Sequence, residues 1–264
     1  MGRLTYLNLD YFDKYFKSLK KRELDFKLTK TTYSRKIELN DMVILFNEDG
    51  GSDYNVLSLI NKVRKNARTY LGSTSFEKRQ EYIHFYDLFR KPKSNEVIWK
   101  VDVRSAYWEA AMKRGIVDSV TNDSLIQAFE GKPAKEMKRA RLKSLGALAT
   151  TKNVREYVKG KMHKEDVIKE PTRELYMDIC RDVDILMRDC IAQNQDVVYY
   201  YWDCIFVPIN TANEVIEYFK ELKYDVTVEE TKLEYQVIAE RGFIISQCDS
   251  KAYMVRKESI DLLD

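Results

Sequence analysis

The sequence predicts an α+β fold: an antiparallel sheet with helices packed on one face. Three observations carry that expectation. EVIWKVDV (96–103) and VVYYYWDCIFVP (197–208) are rich in β-branched and aromatic residues and read as buried strands. Between them, Thr172–Gln193 repeats Leu175, Ile179, Val183, Leu186 and Cys190 at helical spacing. The resulting order of strand, helices, strand, helix and strands suits a sheet with its helices on one side.

The remaining elements follow in chain order. Phe12–Lys27 reads as a helix and Met42–Phe46 as a strand, closed by the turn signal EDGG at 48–51. Tyr54–Tyr70 is helical, with Val56, Leu59, Ile60 and Val63 in period and basic residues opposite. PKSN at 92–95 is a turn into the first buried strand. Ala106–Arg114, Ser124–Phe129 and Ala134–Ala149 read as helices, the last opened by Pro133. Pro171 and Thr172 mark the start of the long helix, with Thr172 as its N-cap. VVYYYWDCIFVP follows as one strand and Asn213–Leu222 as a helix. Tyr224–Val228, Tyr235–Ala239, Gly242–Ser246 and Ala252–Val255 read as strands. By motif, residues 1–95 form an N-terminal α/β region of unassigned role, 96–256 the region that carries the chemistry, and 257–264 a tail.

Composition removes several classes of function. With 44% hydrophobic and 33% charged residues over 264 positions, the chain is an ordinary globular mix with room for one large domain or two smaller ones. No apolar run approaches the ~20 residues that span a bilayer, so no membrane association is expected. MGRLTYLNLDYFDKYFKSLKKREL carries charge inside every apolar stretch and does not read as a signal peptide. The cytoplasm, or a host's cytoplasm for a viral protein, is the expected compartment. Cys180, Cys190, Cys204 and Cys248 form no CxxC pair, which argues against structural zinc. His84 and His163 lie far apart, which leaves a His-based triad or metal site little to work with. Chemistry therefore falls to carboxylates, Lys, Arg and Tyr.

Each buried strand carries one aspartate, Asp102 in WKVDVRSAYW and Asp203 in YYYWDCIFV. A lone buried carboxylate is costly, so such residues are paired, hydrogen-bonded or metal-bound. If the two strands are neighbours, the two Asp can share divalent cations. Hard oxygen donors suit Mg²⁺, and a two-ion site is a device for phosphoryl transfer. Lys135, Arg139 and Lys143 stand at i, i+4 and i+8, one row on a helix face, where an anion such as a triphosphate would relieve their repulsion. A solvated basic face, softened by Glu136, is the alternative for that row.

Four segments, in order, resemble family B DNA polymerases. Asp102-Val-Arg-Ser105-Ala-Tyr107-Trp108 is similar to motif A, D-x-x-S-L-Y-P. Arg139-Ala-Arg-Leu-Lys143-Ser144-Leu145-Gly146 is similar to motif B, K-x-x-x-N-S-x-Y-G. Tyr199-Tyr200-Tyr201-Trp202-Asp203-Cys204 is similar to motif C, Y-x-D-T-D-S, and Lys251-Ala252-Tyr253 to K-x-Y. The resemblance covers about residues 96–256 and implies a palm with short helical fingers at about 109–160, without a proofreading exonuclease domain.

What the resemblance implies is specific. Asp102 and Asp203 are the expected catalytic carboxylates and, with the Val103 carbonyl, hold two Mg²⁺ or Mn²⁺ ions. Ser105 and Ala106 would touch the triphosphate through their backbone, Tyr107 would exclude a 2′-hydroxyl, and Lys135, Arg139 and Lys143 would bind the dNTP. Ser144, Gly146, Lys251 and Tyr253 are the expected contacts to primer-template or single-stranded DNA. The implied activity is addition of dNTPs to a primer, with a replication accessory protein as a further partner and a phage or other mobile element as the expected source. The sequence departs from the family where Tyr201 replaces the first Asp of motif C, where Gly146 directly follows Leu145, and where Trp108 and Trp202 replace Pro and Thr. A catalytically inactive polymerase-like domain that binds DNA or a replication partner is the alternative.

Overall fold

The computed structural model describes residues 3–31, 34–47, 54–73, 83, 85–194, 196–238 and 241–255. In chain order its elements are β1 (Arg3–Asn8), α1 (Phe12–Lys21), β2 (Phe26–Lys30), β3 (Ser34–Leu39), β4 (Met42–Asn47), α2 (Tyr54–Ser73), β5 (Tyr86–Leu88), β6 (Ile98–Val103) and α3 (Ala106–Lys113). There follow α4 (Ser119–Phe129), α5 (Ala134–Gly146), β7 (Thr151–Val158), β8 (Lys161–Lys169), α6 (Arg173–Gln193), β9 (Tyr199–Tyr201), β10 (Cys204–Pro208), α7 (Ile209–Glu221), β11 (Val226–Thr231), β12 (Leu233–Ile238), β13 (Arg241–Ser246) and β14 (Ala252–Met254). The fold is α+β, as expected, with its sheets largely antiparallel. The EDGG turn at 48–51 and the tail 257–264 lie outside the described residues.

The chain divides into two compact units that interleave in sequence. One comprises 1–77 and 115–177, the other 78–114 and 178–264. The expected boundary at residue 95 is therefore not the structural one. The segment between α3 and α6, from Gly115 on, belongs with the N-terminal strands, because β7 pairs with β2.

In the first unit the sheet order is β1-β4-β3-β2-β7-β8. Helix α1 ends at Lys21, short of the expected Lys27, and Glu23 turns the chain at φ 52 into β2. Phe12, Leu19, Phe26, Leu28, Ile37 and Phe46 form the core under it. Phe26 and Tyr157, opposite one another in the β2/β7 register, stack with ring centroids 4.5 Å apart. The β7–β8 hairpin was not expected, since no apolar alternation marks its residues as strands. Its two-residue turn places Lys159 at φ 47 and Gly160 at φ 70, a pair of positive angles that matches strand twist. A side chain at Gly160 would also come within 2.4 Å of the Lys20 carbonyl. Thr172 stands just before α6, its carbonyl accepting from Tyr176 N–H at 3.1 Å and its hydroxyl donating to Leu148 O at 2.9 Å.

In the second unit the sheet order is β11-β6-β10-β9-β5, with each neighbouring pair antiparallel. Strands β6, β9, β10 and β11, with α6 and α7, form a split β-α-β arrangement. Side chains alternate in and out along β6 and β10. Ile98, Cys204, Phe206 and Tyr199 face one core, shared with Leu233 and Ile244 of the β12-β13-β14 sheet. Val101, Val103, Ile205 and Val207 are fully buried on the other face, over which α7 packs. Tyr200 also points that way, and its hydroxyl donates to Asp184 Oδ1 of α6 at 2.5 Å. Asp184 is buried and is also paired with Arg188 Nε at 3.2 Å. Tyr200→Phe is expected to cost about 1–3 kcal/mol, read as a lower urea midpoint at unchanged slope.

Candidate active site

The stretch 197–208, expected as one strand, is a hairpin. β9 and β10 pair through Cys204↔Tyr201, so Trp202 and Asp203 form a two-residue turn. Asp203 thus sits at a turn, not in mid-strand. Trp202 adopts φ 55, a left-handed conformation that costs on the order of 1–3 kcal/mol for a residue other than glycine.

Strand pairing decides where Asp203 lies relative to Asp102. Cys204 is opposite Asp102 on β6, and the Val103 N–H donates to Asp203 O at 2.9 Å. Asp203, one residue before Cys204, therefore lies beside Val103, and the backbones of the two aspartates adjoin on adjacent strands. Both carboxylates act on the Cys204 thiol through their charge. Burial pushes the Cys204 thiol well above its ordinary value, and the Asp203 and then the Asp102 charge push it further. The Cys204 thiol donates to Tyr201 O at 3.1 Å.

Past Val103 the chain turns sharply. Ser105 stands at φ 54, ψ 32 and caps α3, its carbonyl accepting from Trp108 and Glu109 N–H. Ala106 and Trp108 are buried, and Tyr107 stays half-exposed. Helix α3 is fixed at its other end. The Arg114 guanidinium forks onto Asp182, Lys113 Nζ donates to Leu222 O at 2.8 Å, and the same ammonium lies 3.4 Å from the Tyr224 ring centre. This anchoring brings Tyr107 to the hairpin, with its ring edge-on to Trp202 at 6.4 Å.

Tyr201, where the resemblance led us to expect a carboxylate, points into aromatic packing. Its ring lies 4.9 Å from Tyr253 and 6.3 Å from Tyr199. Tyr253, expected to touch DNA, is 5% exposed, and its hydroxyl donates to Asp249 Oδ2 at 2.6 Å. Lys251 is exposed, 3.6 Å from the same carboxylate. Ser144, also expected to touch DNA, is fully buried, with its hydroxyl donating to Ala140 O at 2.8 Å; its role is packing. Gly146 closes α5 in helical conformation. Lys135 and Arg139 are exposed on α5 and Lys143 is half-buried. That row belongs to the first unit, whereas Asp102 and Asp203 belong to the second.

Two charged residues were missed. Lys100, on the same strand face as Asp102, is 8% exposed and donates to Asp249 Oδ2 at 2.9 Å. Burial alone would lower the Lys100 ammonium, but Asp249, with Cys204 and Glu229, outweighs it and raises the pKa. Burial alone would raise the Asp249 carboxyl, but hydrogen bonds from Tyr253 and Lys100 hold it well below the carboxylate range. The signal for Lys100 was present, because period-2 alternation in WKVDV puts it on the Asp102 face.

Among the described residues no group of three or more His, Cys, Asp or Glu is placed to hold a metal ion. Two neighbouring carboxylates nevertheless fit Mg²⁺, which takes one or two protein carboxylates and completes its shell with water and substrate phosphates. No helix among the described residues is long and apolar enough to cross a membrane. Comparison with protein-family models, with curated proteins and with solved structures finds no match to this chain.

Proposed function

We propose that the chain is a nucleotidyltransferase that extends a DNA primer with dNTPs, with Asp102 and Asp203 as its catalytic carboxylates. The observation that carries the reading is the β6/β10 register, which sets the two aspartates side by side at one end of a sheet. Bound Mg²⁺ or Mn²⁺ would supply activation of a 3′-hydroxyl and charge neutralisation on the triphosphate. Asp102 and Asp203 would hold these ions, Ser105 and Ala106 would present backbone to the phosphates, and Tyr107 would close the sugar position. Lys135, Arg139 and Lys143 form a row of cations on α5 of the first unit, a charge that suits a phosphate-bearing ligand on that unit. Lys251, exposed beside Asp249, fits the expected DNA contact.

Primer extension with Mg²⁺ and with Mn²⁺, comparing wild type with Asp102→Asn, tests the reading. Wild-type incorporation that the variant loses supports it, and equal incorporation by both overturns it. Tyr107→Ala is expected to raise the rNTP-to-dNTP incorporation ratio at least about tenfold, the scale of a lost steric contact in a substrate pocket. An unchanged ratio removes Tyr107 from the gate role.

A second reading, an inactive domain that binds DNA or a replication partner, is favoured by Tyr201, whose ring fills the place of a carboxylate with aromatic packing. Intact DNA binding with no incorporation under either metal decides for it.

A further inference from the structure

The turn that carries Asp203 also carries an aromatic side chain that the two-carboxylate reading leaves unused. Trp202 is 37% exposed in spite of its size, and its backbone is held in a conformation that bulky residues rarely adopt. Its N–H donates to Phe85 O at 2.6 Å, and its indole stacks on the Phe85 ring at 4.2 Å with planes 28° apart. Tyr107 and Tyr201 approach it edge-on at 6.4 and 6.3 Å. Phe85 thus covers one face of the indole, and the ring is fixed in place while part of it stays open to solvent.

The surroundings select an occupant. Arg104 is exposed two residues after Asp102, and the β6/β10 register puts it at the same end of the sheet as Trp202. Ser105, Asp102 and Asp203 are its polar neighbours along these two segments. An apolar protein segment would meet charge on leaving the indole. A nucleotide would meet an aromatic plane for its base and a guanidinium for its phosphate, the combination that single-strand binding sites use.

We propose that Trp202 is a stacking platform for a nucleobase of DNA bound at this end of the sheet. The choice of ligand rests on the phosphoryl-transfer reading of Asp102 and Asp203, but the test of stacking does not require turnover. Tryptophan emission of the full chain is followed in EDTA as a short oligothymidylate is added. Of the three tryptophans, Trp108 is 1% exposed and Trp99 is half-buried, so stacking quenches Trp202 foremost. Wild type is expected to be quenched. Trp202→Phe is expected to lose the quench while binding labelled oligonucleotide within about twofold, and Trp202→Ala to bind about tenfold more weakly. An abasic strand of equal length is expected to bind wild type about as weakly. Quenching that persists undiminished in Trp202→Phe, wild-type affinity in Trp202→Ala, or equal binding of abasic and oligothymidylate strands overturns the platform.

Free dTTP separates the two sources of a base. Quenching by dTTP assigns the base to the incoming nucleotide, and quenching by the strand alone assigns it to DNA. Primer extension on the same preparations keeps the two proposals apart. A protein that is quenched but does not extend keeps the platform and loses the polymerase reading. One that extends without a quench does the reverse.

Discussion

Asp203→Asn is expected to lower primer extension by at least about 10²–10³-fold, the scale for losing one preorganised electrostatic contact to a transition state. The substitution keeps size and hydrogen-bonding capacity but removes the charge. The backbone bond from Val103 N–H to Asp203 O does not depend on the side chain, so the turn and the β6/β10 register should survive. The loss should therefore appear as a fall in kcat at nearly unchanged stability. DNA binding without metal should stay within a few-fold of wild type. Full activity in Asp203→Asn would end the role proposed for it and return the carboxylate to a turn-forming part. With the Asp203 charge gone, one of the three carboxylates (Asp203, Asp102 and Asp249) that raise the Cys204 thiol is removed, although burial, the larger cause, remains.

Asp249→Ala is expected to destabilise the second unit strongly. It removes the partner of Lys100, which is 8% exposed, and the acceptor of the Tyr253 hydroxyl. Breaking a buried pair by deleting one member leaves a buried charge without compensation and costs about 3–5 kcal/mol. Glu229, at 3.7 Å from Lys100 and 59% exposed, softens this toward about 3 kcal/mol. For a unit of this size that corresponds to a fall in Tm of roughly 6–12 °C.

The pH profile gives an independent check. The Asp249 carboxyl is depressed in the folded state, so its contribution is present above the unfolded value of about 3.9 and is lost as pH falls through the folded one. The Lys100 ammonium is raised, so its contribution is present below about 10.4 and is lost as pH rises through the folded value. Wild type should thus hold a stability plateau that weakens at both extremes. In Asp249→Ala both arms should flatten. A variant with the wild-type urea midpoint, or with the wild-type acid arm, would show that the network contributes nothing measurable. Lys100→Met/Asp249→Leu, which replaces the pair with apolar side chains, should recover much of the loss.

Much of the second unit was legible because its strands are short, apolar and alternating. There β6, α3 and most of α6 stand within three residues of where periodicity and turn signals put them. The first unit was less legible. β1, β2, β3, β7 and β8 mix charged and apolar residues, as in KMHKEDVIK of β8, whose side chains are nearly all exposed. A strand of that kind shows no apolar face, and its conformation comes from its pairing partner, even one far away in sequence. β2 and β7, separated by more than a hundred residues, are such partners.

By itself the sequence determined the fold class and the two places where a carboxylate interrupts an apolar stretch, because local alternation and the cost of a lone buried charge are both properties of neighbouring residues. Only the tertiary structure decided that those carboxylates adjoin, that VVYYYWDCIFVP bends at Trp202, and that Ser144 and Tyr253 face inward while Lys100 meets Asp249. Each of these depends on strand register or on contacts between distant segments. A shift of one residue in pairing would move Asp102 to the opposite face of the sheet, and no local pattern in the chain specifies which register is formed.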